Sequence, residues 1–395
     1  MSPAGISTQA SRRLFLGAQG LLEDPARKAT RPNLLRLVQR LGFVQMDTIN
    51  VVGRAHDLTL FSRLSGYKPA QLQTLLEADR LLFEGWTHDA STIPTQWYPH
   101  WKPRFALDRA RIERHVWWQN LLGPETERVC AHVLERISAE GPLGSADFDH
   151  PEKRGPWWGW KPQKAALDYL WRTGVLAIAK RVNFHKRYDL AERVLPEAHA
   201  WPEPDPEIHL EWACATAMER LGVFSPKELA GFWGAIEALE AKRWCQGALK
   251  DGRIVAVRVE AVDGSEPQPA FAIADWQQRL ASLPEAPEGI RLLCPFDPVL
   301  RDRSRALRRF GFDYRFEAFT PSSKRIYGYY VMPILEGERM VGRLDPKLHR
   351  DRGVLEVRGL WWEPGIKPTK ARLKRLQEAL EALARFLGAS DISGF

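Results

Sequence analysis

The sequence predicts an α+β protein: tandem winged-helix (helix-turn-helix) domains, then a small C-terminal β-barrel and a terminal helix. Three observations predict it. Two stretches, 125–197 and 207–275, repeat the order helix, helix, helix, hairpin. Residues 290–362 then break into short strand-like runs separated by turn residues. Last comes an amphipathic stretch, KARLKRLQEALEALARFLG, with apolar positions three and four apart.

The elements follow from local chemistry. Ser7 is placed to cap a helix carrying Leu14, Phe15, Ala18 and Leu21 or Leu22. Leu34, Leu35, Val38 and Leu41 mark a second helix, which Gly42 stops. In the first repeat a helix ends near Gly141-Pro142, and Ser145 is placed to cap a short second one. After a Gly/Trp-rich insertion, Pro162 opens a third, KPQKAALDYLWRTG, closed by Gly174. VLAIAKRVNFHKRYDL reads as two strands around a basic tip. In the second repeat EIHLEWACATAMERLG is a helix, and Ser225 and Pro226 open another. A third covers roughly 235–245, followed by the strands GRIVAVRVEAV and PAFAI. Beyond them LLCPFDPVL, YRFEAF, RIYGYYVMPIL, MVGRLDP and VLEVRGLWW read as strands, and Pro368 opens the last helix.

Composition narrows the function classes. The 395 residues allow two to four modules, and 44 % hydrophobic with 27 % charged residues is ordinary for a globular chain. A net charge of +8 favours an anionic partner, nucleic acid being the commonest. Sixteen tryptophans, several doubled (Trp117-Trp118, Trp157-Trp158, Trp361-Trp362), are expected mostly in the core. Four cysteines without paired spacing fit neither a disulfide framework nor a zinc site, so no metal and no cofactor is implied. The N-terminus is no signal peptide and no run is long enough to span a bilayer; reduced cysteines and no export signal point to the cytoplasm.

The segment LGFVQMDTINVVGRAHDLTLFSR, residues 41–63, carries the candidate chemistry. Beyond Gly42 an extended chain would put Phe43, Gln45 and Asp47 on one side, with Val44 and Met46 anchored in the core on the other. A carboxylate beside an amide can orient a water and offset positive charge. On pattern alone, Asp47 is more often the N-cap of a following helix, TINVVGRA. His56 reads as a structural histidine. His88 and Asp89, in WTHDA, are placed either to touch DNA or to form an exposed or capping pair. The run 301–309, RDRSRALRR, holds five arginines around one aspartate and by default is a solvated basic face. Gathered on one surface, Arg301, Arg303, Lys324 and Arg325 would join the wing tip of Lys180, Arg181, Lys186 and Arg187 as a phosphate track.

FVQMDTINVV, RAHDLTLFSRL, WTHDA, SADFDHP, WWGWKPQKAALDYLW, PFDPVLRDR, KRIYGYYVMPIL, VGRLDPKLHR and GIKPT together resemble the winged-helix crosslink-repair DNA glycosylases, the YcaQ and AlkZ type. The resemblance runs from about residue 6 to 388 with the segments in order. It implies three winged helices and a β-barrel curved around double-stranded DNA, and a catalytic Gln-x-Asp or Gln-x-Gln signature in an open site. Here Gln45-Met46-Asp47 is similar to the Gln-x-Asp branch, which excises alkylated purines, N7-linked interstrand crosslinks included. The implied divisions are a first winged helix with the motif over 1–120, a second over 121–200, a third over 205–285, a barrel over 286–366, and the helix and tail over 367–395. Asp47 and Gln45 are then the expected catalytic residues of a monofunctional, monomeric enzyme, since no lysine adjoins the motif to form a Schiff base. The rival reading is a non-catalytic winged-helix regulator, because winged helices more often read DNA than act on it.

Overall fold

The computed structural model describes residues 4–148 and 162–395. The chain forms two compact units, Met1–Gln71 with Ala213–Phe395, and Leu72–Trp212. The resemblance divides the chain sequentially. By compactness, instead, the first 71 residues share a unit with the C-terminal half.

In the larger unit, Ser7 caps the helix Thr8–Ala18 by accepting the Ala10 N–H at 3.1 Å. The helix Arg31–Leu41 buries Leu34, Leu37, Val38 and Leu41. Ser225 and Glu228 form a reciprocal capping box at the start of Pro226–Trp233, with the proline in the first turn, where its missing N–H costs nothing. The helix Ala238–Lys250 and the antiparallel strands Ile254–Val259 and Gln268–Ile273 follow. Val223–Phe224 flanks Gln268–Ile273, and Ala4–Ile6 joins the other edge in parallel.

The C-terminal part is a five-stranded half-barrel. Its order is Ile290–Leu292, Met332–Glu336, Arg339–His349, Val354–Trp362 and Asp391–Ser393. The helix Lys370–Leu387, capped by Thr369, buries Leu376, Leu380, Leu383 and Ala384. That spacing of four, three and one is a single helical face. It shares a core with Leu292, Cys294, Tyr330 and Met332 of the half-barrel and with Val52, Ala55 and Leu58.

Three expected strands differ, RIYGYYVMPIL being strand only from Met332 onward. YRFEAF joins no ladder, because the Tyr314 hydroxyl donates to the Val331 carbonyl at 2.7 Å and ties the segment down by a side chain. Of LLCPFDPVL only Leu292 belongs to a strand. Two prolines lack the N–H a ladder needs, and Asp297 between them is fully buried on Arg63 at 2.7 and 3.0 Å.

The run 301–309 is also not the solvated face expected. It forms the helix Arg303–Phe310, whose buried face is Arg305, Ala306, Arg309 and Phe310, while Leu307 is exposed. Arg305 pairs with Glu228 at 2.8 Å and lies over the Phe15 ring, and Arg309 donates to the Val223 carbonyl at 2.6 Å. Burial, reinforced by Arg305, pushes the Arg309 guanidinium down to about 9.

The smaller unit holds the hairpin Leu82–Trp86 and Ala90–Pro94, then the helices Lys102–Arg114, Val116–Leu122, Thr126–Glu140 and Pro162–Arg172. The hairpin Leu176–Val182 and His185–Leu190 closes it, turning at Asn183 and Phe184 with φ of 50° and 68°. Ser145 opens a turn rather than a helix. There Asp147 accepts the Gly144 N–H at 2.7 Å, and Phe148 is buried. The Gly/Trp-rich insertion and the last three residues of SADFDHP lie outside the described residues. The tryptophan doublet at 117–118 splits, Trp118 going to the core and Trp117 to the surface.

Candidate active site

Gly42 ends the Arg31–Leu41 helix at φ 90°, and a Cβ there would lie 2.7 Å from Arg220 Nε, so only glycine fits. The chain leaves extended through Val44–Gln45. Val44 and Met46 are buried and Gln45 and Asp47 are half-buried, the alternation an extended chain imposes. Phe43 departs from it. Its ring is buried against Phe232 and Trp233, at 5.6 and 5.8 Å between centroids, with the Arg301 guanidinium 4.8 Å above it.

Asp47 caps no helix. Its Oδ1 accepts the Ile49 N–H at 2.7 Å, a local turn, and the next helix begins only at Ala55. The expected helix TINVVGRA is absent between Thr48 and Arg54. A β-branched run, Thr48, Ile49, Val51 and Val52, followed by Gly53 opposes helix formation. Side chains and strand ends hold the segment instead. Arg350 donates to the Asn50 carbonyl at 2.9 Å, to Asn50 Oδ1 at 2.7 Å and to the Val52 carbonyl at 2.9 Å. The Leu348 N–H donates to the Val51 carbonyl at 3.0 Å, and Arg54 donates to the Thr48 carbonyl. The motif loop is thereby strapped to the end of the Arg339–His349 strand.

Beyond it the helix Ala55–Phe61 is buried. His56 is 6 % exposed, consistent with a structural histidine. Burial pushes Asp57 up to about 6 despite a hydrogen bond from Tyr67 at 2.7 Å. Thr59 Oγ1 lies 3.2 Å from Cys294 Sγ. Tyr330 packs in the same core, its phenol held well above its ordinary range by burial first and by Cys294, Tyr314 and Asp47 after it.

The expected DNA-contacting residues divide. Arg301 donates to the Phe232 and Gly231 carbonyls at 2.7 and 3.0 Å, bracing the end of the Pro226–Trp233 helix. Arg303 is exposed and, with Lys227 and Arg308, lines a cleft of about 660 Å3 beside Phe43. Lys324 is exposed, while Arg325 is half-buried, donating to the Thr320 carbonyl at 2.8 Å with its guanidinium over Tyr329.

In the smaller unit Lys180 is exposed on the Leu176–Val182 strand. Arg181 forks onto Glu84 at 2.7 Å to each oxygen, and Arg187 pairs with Asp147. Lys186 lies 3.6 Å from the Trp171 ring centre and 3.7 Å from Asp168, and burial lowers its pKa. The tip of this hairpin is therefore less basic to an approaching phosphate than its sequence suggests. His88 is exposed at the tip of the Leu82–Trp86 hairpin, its Nδ1 3.2 Å from Thr87 Oγ1.

Sequence reasoning missed the strap. Arg350 stands at the end of VGRLDPKLHR, one of the segments carrying the resemblance, but nothing local ties it to residue 50. Among the described residues no group of three or more His, Cys, Asp or Glu side chains could hold a metal, and no helix is long and apolar enough to cross a membrane.

A family model described as DNA glycosylase AlkZ-like matches residues 38–386. Among solved structures, the Streptomyces sahachiroi DNA glycosylase AlkZ is similar with a TM-score of 0.62 at 17 % sequence identity, the match covering 98 % of each chain. At that identity the likeness speaks for the fold.

Proposed function

From the premise that the chain belongs to the DNA glycosylase AlkZ-like family, we propose that it hydrolyses the N-glycosidic bond of N7-alkylated guanine in double-stranded DNA, interstrand crosslinks included. The observation that carries this is the motif loop. It offers Gln45 and Asp47 half-buried from a segment whose alternate residues are buried and whose next turns are strapped by Arg350. A DNA-binding regulator has no use for a carboxylate fixed toward an anionic duplex.

The chemistry suits the pair. N7-alkylation already makes the guanine cationic, so it departs with the C1′–N9 electron pair as a neutral base and needs no general acid. The sugar becomes oxocarbenium-like. Asp47 offsets that charge and takes the proton of the attacking water, and Gln45 holds the water by hydrogen bonds. No lysine adjoins the motif, which favours simple hydrolysis in the Gln-x-Asp manner. No cofactor enters.

The helix, strand, helix, helix, hairpin order of 206–273 supports a winged helix there, and Thr126–Leu190 supports another. We assign DNA contacts first to the exposed Lys180, Arg303, Lys324 and His88. Arg181, Lys186, Arg187, Arg301 and Arg325 already have intramolecular partners. The test is incubation with a duplex containing N7-methylguanine and with a mustard-crosslinked duplex. Free modified base and abasic sites are expected, and stable binding without base release refutes the reading.

A further inference from the structure

Among the described residues the two most exposed large apolar side chains are Phe319, 86 % exposed, and Ile326, 75 % exposed. Both belong to one loop, and that loop is held rather than loose. Glu317, buried, accepts the backbone N–H groups of Ile326 at 2.9 Å, Tyr327 at 2.8 Å and Gly328 at 3.2 Å. Those donations outweigh burial and keep its carboxyl below the usual range. The Thr320 N–H donates back to the Glu317 carbonyl at 2.9 Å, and the Lys324 N–H to the Pro321 carbonyl at 2.9 Å. At the far end the Tyr330 N–H donates to Asp345 at 3.0 Å. Gly328, at φ 136°, passes so near that carboxylate that a Cβ would meet Asp345 Oδ2 at 2.2 Å.

Two apolar side chains carried into water on a turn held by these backbone bonds have part of their ordering entropy lost in advance, which favours whatever receives them. Their charge environment is positive, with Lys324 exposed and Arg325 stacked on Tyr329 between the two tips. A protein partner needs a contiguous apolar patch of several hundred Å2. Two isolated tips beside cations instead match a side chain that enters between base pairs while its neighbours hold the phosphates.

We propose that Phe319 and Ile326 form a wedge that unstacks one base step of duplex DNA. The proposal rests on the glycosylase reading and deepens it. The loop ends in Tyr330, which shares a core with Val52 and Ala55, and the Leu348 N–H ties Val51 to the same sheet. Wedge and motif loop thus rest on one shared core. Unstacking the step next to the adduct opens its sugar to Gln45 and Asp47 without drawing a bulky or crosslinked base out of the helix.

The test uses duplexes with N7-methylguanine and 2-aminopurine in the flanking step. The full-length protein should raise 2-aminopurine fluorescence on binding. The double variant Phe319→Ala/Ile326→Ala should bind about tenfold more weakly, abolish the rise, keep the wild-type melting temperature and leave the salt dependence of binding unchanged. Phe319→Trp should restore the rise. No rise with the wild type, an undiminished rise with the double variant, or a double variant altered only in self-association would each overturn the wedge. A wild type that unstacks but releases no base would overturn the glycosylase reading alone. Base release with no fluorescence response would overturn the wedge alone.

Discussion

Asp47→Asn separates charge from shape. Asparagine accepts the Ile49 N–H as aspartate does at 2.7 Å, and neither the Arg350 clamps nor the Leu348–Val51 bond involves the side chain. The variant should therefore fold with stability within about 0.5 kcal/mol of wild type, as a change away from the core does. What it loses, on the proposed reading, is one unit of charge beside the sugar. At about 4 Å that charge is worth about 1 kcal/mol in bulk water and about 4 kcal/mol at an effective dielectric near 20. Asp47 is half-buried, so the effect lies between these limits. The single-turnover rate of N7-methylguanine release should fall by about one to three decades. Affinity for the same duplex should hold or rise, because a carboxylate near phosphates is repulsive before reaction begins. The assay is quenched base release under enzyme excess, with melting temperature and duplex affinity measured on the same preparation. A folded Asp47→Asn that releases base at the wild-type rate would show that the carboxylate serves the turn and nothing more.

Gln45→Ala should slow release by about one to two decades, measured in the same assay, as expected for losing one or two hydrogen bonds to water or sugar. Replacing the exposed Lys180, Arg303 and Lys324 with alanine should flatten the log–log salt dependence of duplex binding by almost three, at about 0.9 for each phosphate no longer neutralised. An unchanged slope would exclude them from the track. Glu228 is held at about 2, since Arg305, Arg309 and the Ser225 N–H outweigh the upward push of burial. Its stabilisation, about 3 kcal/mol, is then complete above pH ~4.5 and lost as pH falls toward 2. Melting curves of Glu228→Gln should lack that share of the acid sensitivity. Asp297→Ala leaves the Arg63 guanidinium buried without its counter-ion, and denaturant unfolding should show a loss of about 3–5 kcal/mol.

The parts of the site governed by local rules could be read from the sequence. Gly42 had to stop a helix, and the alternation from Val44 to Asp47 follows from strand geometry. What could not be read depends on partners distant in the chain. Arg305 and Arg309 look like surface charge because isolated arginines belong in water. They are buried because Glu228, far away in sequence, and backbone carbonyls satisfy them. The same holds for Arg181, whose charge Glu84 absorbs, so that a basic wing in the sequence becomes a nearly compensated one in space. Sign and spacing of charges therefore overstated the cationic surface, and only exposure separates Lys180, Arg303 and Lys324 from the rest.

The absent helix after Asp47 bears on the proposed chemistry. Had TINVVGRA been helical, Asp47 at its N-terminus would face backbone N–H groups, and the macrodipole would have drawn its charge away from substrate. In the loop, Asp47 Oδ1 instead accepts the Ile49 N–H of its own turn. Loops usually hold reacting groups less well than helices or strands do. Here three hydrogen bonds from Arg350 and one from Leu348 fix residues 50–52 to the end of a long strand. A carboxylate with the proposed role, stabilising a short-lived sugar cation, needs little flexibility and much placement. Strapping residues 50–52 to a strand supplies that placement through the backbone on which the carboxylate stands.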